Sequence, residues 1–167
     1  MNITIPNKAF KLLAKVSRQT EVIRLFLLGS EAKRLPEIGP FEKIGAELNY
    51  SGELYKKDGD NFTAKVNATI KGVRKEEEDD PVVTISCEFL VYYQLMDNSV
   101  ATDDEVEIFC KSNALYNVWP YFREHVSSMC QKMNIPQLVL PLLRLTPEKP
   151  RQKNDEEKIG KQRENVE

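Results

Sequence analysis

The chain has 167 residues, 26 of them acidic and 24 basic, with a formal net charge of −2. That length suits a single domain burying roughly two-thirds of its unfolded surface. The charge balance argues against a nucleic-acid partner, and no apolar run approaches membrane-spanning length.

Asn7 reads as the N-cap of a short helix over 7–20, with Phe10, Leu12, Leu13 and Val16 on its apolar side. Glu21 to Gly29 follows, apolar enough for a strand buried on both faces, which in so small a sheet implies that a partner chain covers one of them. Ser30 to Lys43 carries Pro36, Gly39 and Pro40, which forbid regular structure, together with Leu35, Ile38 and Phe41. Such a loop is expected to pack down as an apolar flap, and it can also border a groove.

Three strands with one polar face come next. In Ile44 to Tyr55, Ala46, Leu48, Tyr50 and Leu54 alternate with Glu47, Asn49, Ser51 and Glu53. In Phe62 to Lys71, the apolar set is Phe62, Ala64, Val66, Ala68 and Ile70; in Val82 to Leu95 it is Val83, Ile85, Cys87, Phe89, Val91, Tyr93 and Leu95. Period two of this kind marks an antiparallel sheet wet on one side. Asp58-Gly59 predicts a hairpin turn. Arg74 to Pro81 is a solvated charged loop, without the glycine-turned frame of an acidic cation site.

Residues 103–134 form the helical segment. Leu115, Val118, Trp119, Phe122, Val126, Met129, Cys130 and Met133 recur at spacings of three and four, one stripe of an amphipathic helix. Pro120 with Tyr116, Trp119, Tyr121 and Phe122 is placed at its start, and Ile135 to Pro141 forms an apolar segment after its end. The tail over 148–167 has twelve charged residues in twenty. It has too little to bury and is expected to be disordered. The predicted class is therefore α+β, one domain over 1–147 with a helix at 7–20, a four-stranded antiparallel sheet within 21–98 and a long helix on one sheet face.

Catalytic signatures are absent. The single histidine, His125, falls on the polar side of the helix beside Glu124 and reads as a solvated surface residue. Cys130 lies five residues on, so the two cannot pair as nucleophile and base. No zinc, dinucleotide or phosphate-loop motif occurs, and the seven glycines do not cluster. Cys87, Cys110 and Cys130 are widely separated, which fits reduced thiols in a cytoplasmic protein. The N-terminus lacks the pattern of a signal peptide.

The pair of motifs Pro120-Tyr121-x-Arg123-Glu124 and Pro136-Gln137-Leu138-x-Leu140, after four strands and a proline-rich crossover, resembles the SecB family of export chaperones over about Val22 to Leu143. The added N-terminal helix, and a charged tail where that family has a last helix, are similar to the solitary SecB-like chaperones of toxin–antitoxin–chaperone systems. The resemblance implies a chaperone that uses neither ATP nor cofactor and binds no metal. It implies a homotetramer built as a dimer of dimers, with unfolded clients held in apolar surface grooves, an antitoxin foremost and preproteins for export also. The family's acidic face for the SecA motor is replaced here by Ser30-Glu-Ala-Lys33-Arg34, which puts SecA binding in doubt.

On that reading the client groove draws on Phe26, Leu28, Leu35, Ile38, Phe41, Met129, Met133, Ile135 and Leu138. Methionine suits such a surface because its thioether adapts to varied partners. Simple core packing is the competing role for each. Val22, Ile23 and Leu25 are expected at a dimer contact, and Tyr116 and Trp119 near the inter-dimer contact. Two other readings stay open: a small-molecule-binding α+β domain with an internal cavity, and an enzyme with a site around Tyr121, Arg123 and Glu124.

Overall fold

A computed structural model describes residues 1–37, 44–74, 81–97 and 101–148. In chain order the elements are β1 (Asn2–Ile5), α1 (Asn7–Arg18), β2 (Thr20–Arg34), β3 (Gly45–Asp58), β4 (Asn61–Val73), β5 (Val83–Leu95), α2 (Asp103–Lys132) and β6 (Arg144–Pro147). The four long strands form an antiparallel sheet in the order β2-β5-β4-β3. β3, β4 and β5 meander, and β2 lies beside β5, a Greek-key arrangement. The α+β class and the four-stranded sheet under a long helix are as the residue pattern predicts.

The alternation in β4 and β5 is obeyed. Phe62, Ala64, Val66, Ala68 and Ile70 are buried, as are Val83, Ile85, Cys87, Phe89, Val91, Tyr93 and Leu95. Gly59 adopts φ 57° in the β3–β4 turn, the left-handed conformation that a tight hairpin demands and glycine adopts without strain. On the opposite face Glu47 lies across from Lys71, Glu53 from Lys65 and Lys65 from Leu90, and Lys65 binds Glu88 at 2.8 Å.

Thr102 and Glu105 begin α2 with a capping box: the Thr102 hydroxyl accepts from the Glu105 amide and the Glu105 carboxylate accepts from the Thr102 amide. Asp103, Asp104 and Glu105 in the first turn complement the helix dipole. The Thr102 amide, and then Lys15 of α1, hold the Glu105 carboxyl below its ordinary range. The helix buries Val106, Phe109, Cys110, Ala114, Leu115, Val118, Trp119, Phe122, Val126 and Cys130 against the sheet, each contributing roughly 1.5–3 kcal/mol when fully withdrawn from water if large and apolar. Phe109 stands edge-on to both Phe62 and Tyr93, whose rings stack at 4.9 Å. Asn117 donates to the Tyr93 hydroxyl at 2.9 Å, satisfying the one polar atom of that cluster.

Several expectations are corrected. Pro6, not Asn7, holds the N-cap position of α1, and no side chain caps it. The first long strand does not stop at Gly29 but continues to Arg34, pairing over Ser30 to Arg34 with Cys87 to Val83. Nor is it buried on both faces: within this chain Val22, Ile23, Leu27 and Leu28 are exposed, and Leu25 and Phe26 half-buried. Pro120 sits inside α2 rather than at its start. Its ring is exposed, and its missing amide leaves the Tyr116 carbonyl without its usual helical donor. β1 and β6 form a parallel ribbon that the pattern did not foretell. The Glu148 amide extends it by donating to Ile5, one residue past the expected domain boundary. Ile38, Phe41 and the tail beyond 148 lie outside the described residues.

Gly52 of β3 is the point of closest approach. A Cβ there would overlap the Cys110 carbonyl oxygen and crowd Lys111, both backbone of α2. Gly52→Ala should therefore lift the helix from the sheet and cost about 1–3 kcal/mol, the scale of overpacking. Urea denaturation checks this: parental stability in the variant would mean that the helix does not sit this close to β3.

Candidate functional site

Two stretches place apolar side chains at the surface. The first is β2, an edge strand. The register puts Val22, Leu25 and Leu27 on the helix side of the sheet, opposite Tyr93, Val91 and Phe89, and Phe26 on the far side, opposite Leu90. Ile23 and Leu28 occupy the two irregular positions of the strand and are 56% and 52% exposed. α2 covers β3, β4 and β5 but has no extensive contact with β2. The helix-side row is therefore left open. On the far side Phe26 stacks on Tyr92 at 5.8 Å.

The second stretch follows α2. Asn134 adopts φ 50°, the Asn134 amide donates to the Gln131 carbonyl and the Ile135 amide to the Cys130 carbonyl. This is a Schellman termination, whose apolar position after the cap packs back on the helix. Ile135 fills it and is buried. The chain then runs back extended over 135–143, with Leu138, Leu140 and Leu143 buried. Two side chains one helical turn apart on α2 hold it there. The Trp119 indole donates to the Pro141 carbonyl at 2.9 Å and the Arg123 guanidinium to the Leu140 carbonyl at 3.0 Å. Val139 and Leu142 point outward, Val139 being 76% exposed.

Arg34 joins the two stretches. It donates to the Met133 carbonyl at 2.5 Å, at the negative end of the α2 dipole, and to the Leu35 and Pro36 carbonyls. The base of the flap is thereby tied to the C-terminus of α2, and this brings exposed Leu35 and half-buried Met133 to one locality.

The expected groove residues thus divide. Phe26, Leu28, Leu35, Met129 and Met133 have surface to offer, whereas Ile135 and Leu138 are core residues. Of the two positions expected at an inter-dimer contact, Tyr116 is exposed on the outward side of α2 and Trp119 is buried with its indole engaged. Sequence reasoning passed over Leu27, Tyr92, Met96, Val139 and Leu142, all exposed. Their only signal was apolar character, which core residues share.

The chemistry of other readings is sparse. Arg123 is engaged in holding the return segment. Burial pushes the Cys87 thiol up to about 11 and the Cys110 thiol up to about 12, and raises that of Cys130, so none is poised as a thiolate. Among the described residues no three His, Cys, Asp or Glu side chains gather as a metal site, and no helix is long and apolar enough to cross a membrane. His125 is not the solvated residue expected: its Nε2 is buried and has no hydrogen-bond partner among the described residues.

The fold has a solved counterpart. Over 81% of this chain and 99% of the other, it superposes with a TM-score of 0.68 at 17% identity on a SecB-like chaperone of Mycobacterium tuberculosis, determined in complex with a ChAD peptide from the HigA1 antitoxin. The fold is SecB-like. No family model matches the chain. An uncharacterized protein of Methanocaldococcus jannaschii is 27% identical over 101 residues, 60% of this chain and 63% of that protein, so the match spans less than two-thirds of the relative's length. Within the SecB-like fold, the motif pair that carries the sequence resemblance has a physical link: Arg123 of the first motif donates to Leu140 of the second, and Trp119, just before the first, fastens Pro141, just after the second.

Two outcomes follow. Trp119→Phe keeps an aromatic ring, a smaller one, but removes the donor to Pro141, and should cost about 1–3 kcal/mol for the abandoned carbonyl alone, with exchange accelerated at the amides of 137–140 and Leu142. Parental stability and exchange would show that the indole does not hold the segment. Desolvation, with a smaller contribution from Lys132 and opposed by Glu124, lowers the His125 pKa. The unfolded chain then takes up the proton first, so the stability from His125 is present above its ordinary value of 6.5 and is lost as pH falls through the depressed folded value. Denaturation midpoints between pH 7 and pH 5 should fall more steeply for the parent than for His125→Gln; parallel slopes would place the imidazole in water.

Proposed function

We propose that the protein is an ATP-independent holdase that binds unfolded or aggregation-prone polypeptide, with an antitoxin of a toxin–antitoxin–chaperone system as its principal client. The SecB-like fold carries this reading, since its solved counterpart was determined with an antitoxin peptide. The apolar surface left on β2 supports it. An unfolded chain exposes apolar side chains and unpaired backbone, and a holdase lowers the free concentration of that species. Phe26 and Leu28, with Leu35, Met129 and Met133 at the Arg34 junction, are the contacts proposed for the client; Ile38 and Phe41 extend them along the flap.

The edge of β2 also suits self-association. A long edge strand with exposed apolar side chains invites pairing. A second copy there gives a dimer through Val22, Ile23 and Leu25, and two dimers meeting on the outward face of α2 near Tyr116 give the tetramer. Buried, reduced Cys87, Cys110 and Cys130 suit a cytoplasmic location. Among the described residues the far side of the sheet mixes Glu47, Glu53 and Glu88 with Lys65 and Lys71 rather than presenting an acidic patch for a motor such as SecA, so export is taken as the secondary role. The small-molecule reading finds less support, because Phe62, Tyr93, Phe109 and Phe122 fill the space beneath the helix.

The test is light scattering of a chemically denatured model substrate diluted without nucleotide. Near-stoichiometric suppression of aggregation is expected. Phe26→Ser and Leu28→Ser should fold, yet each should lose up to about 1.5–3 kcal/mol of client affinity, the value of one buried apolar side chain. Aggregation unaffected by the parent protein would refute the chaperone reading, and parental affinity in both variants would move the groove off β2.

A further inference from the structure

α1, α2 and β6 border a cleft of about 470 Å³, built from elements outside the four-stranded sheet. Its apolar walls are Phe10, Leu13 and Ala14 of α1, with Tyr116 of α2 only at the margin beside the proposed inter-dimer contact. The floor is unusual: Leu143, Arg144, Leu145 and Thr146 all line it. A strand shows only alternate side chains to either face, so four consecutive lining residues mean that the cleft runs along the strand's edge.

The hydrogen bonds give that edge its polarity. Arg144 and Glu148 donate their amides to β1, at Met1 and Ile5. Backbone groups alternate sides along a strand, so the amides and carbonyls of Leu143 and Leu145 point away from β1, into the cleft. Pro147 falls on that same open side, where its lack of an amide breaks no ladder. Among the described residues β6 pairs with β1 alone.

Charge adds a second, independent selection. α1 carries Lys8, Lys11, Lys15 and Arg18 and no acidic residue. Lys15 is paired with Glu105 at 3.2 Å. Lys11 and Arg18 stand three residues before and four after Ala14, flanking the face that lines the cleft, and both are exposed. With exposed Arg144 at the floor, the rim is cationic.

We propose that this cleft takes an extended polypeptide segment as a third strand of the β1–β6 ribbon, selecting large apolar side chains bracketed by acidic residues. The inference rests on the chaperone reading, in that the segment belongs to the client; it adds a sequence-selective site to the general apolar surface on β2. Strand addition gives affinity through main-chain hydrogen bonds, and the cleft gives specificity through alternate side chains.

The test uses the full-length protein and a short fluorescein-labelled synthetic peptide of alternating Leu, Trp and Thr with two Glu at each end. Matched peptides carry terminal Lys instead of Glu, or N-methyl groups on alternate backbone amides. By anisotropy at low salt, the Lys-ended and N-methylated peptides should bind at least about tenfold more weakly than the acidic one. Ala14→Trp, which fills the cleft, and Leu145→Pro, which deletes an amide on the open edge alone, should each weaken binding by about three- to tenfold or more. Both should retain suppression of aggregation of the denatured substrate; should Leu145→Pro fail to fold, Ala14→Trp and the methylated peptide decide. Parental affinity in Ala14→Trp, or equal affinity for the methylated peptide, would overturn the proposal. No peptide binding together with a changed oligomer mass in Ala14→Trp would assign the cleft to a second copy and overturn it as well. Suppression without peptide binding overturns this inference alone, and loss of both in the parent overturns the chaperone reading too.

Discussion

The seating of α2 on the sheet governs the rest of the molecule. Gly52 lets the backbone at Cys110 and Lys111 lie directly against β3, and from there the stripe from Val106 to Cys130 packs over β3, β4 and β5. A helix set toward the β3 side of a four-stranded sheet cannot also cover the strand at the other edge. The exposure of Val22 and Leu27 on the helix side of β2 is therefore a consequence of where the helix lies; residues that would complete a core under a wider helical layer stand open here.

The end of α2 is built with equal economy of contacts. The left-handed Asn134 turns the chain, Ile135 packs back, and Trp119 and Arg123 receive the returning backbone. Extended backbone outside a sheet needs donors for its carbonyls, and these two side chains supply them at Pro141 and Leu140. Beyond this segment the chain reaches β6, which pairs with β1 and so joins the first and last strands of the described residues into one ribbon. Arg34 then couples this region to the end of β2. The surfaces proposed for polypeptide binding are thus linked through the return segment and the Arg34 bond to Met133, each held by identifiable hydrogen bonds.

Sequence and structure agree where one physical signal dominates. β4 and β5 are legible because they are buried on one face and wet on the other, so period two is clean. α2 is legible because its stripe is long, although the helix ends at Lys132, two residues before the expected 134. The edge strand was misread because apolar residues on both faces look alike whether a partner, the core or solvent meets them; the pattern holds no term for coverage. The proline was placed at a helix start, where it is favoured, but tertiary packing on both sides of exposed Pro120 carries the helix through it. Ile135 and Leu138 were assigned to a groove because 135–143 is almost wholly apolar, and only the Schellman turn and the bonds from α2 decide which side chains face inward. β1 and β6 are four residues each, too short for periodicity, and their pairing joins opposite ends of the chain. Of the candidate site, residue types were readable and their exposure was not.

The central claim is that the apolar side chains β2 leaves accessible, Phe26 on the far face of the sheet and Leu28 at its irregular position, contact unfolded polypeptide. Photo-crosslinking reads that contact directly. A benzophenone amino acid is introduced at Phe26, at Leu28 and, as a control, at Asn49 on the opposite edge strand. Each protein is irradiated with a reduced, carboxymethylated model polypeptide in the absence of nucleotide. The account predicts adducts between protein and polypeptide from Phe26 and Leu28 and none from Asn49. Adducts from none of the three positions, or equal yields from all of them, would contradict it.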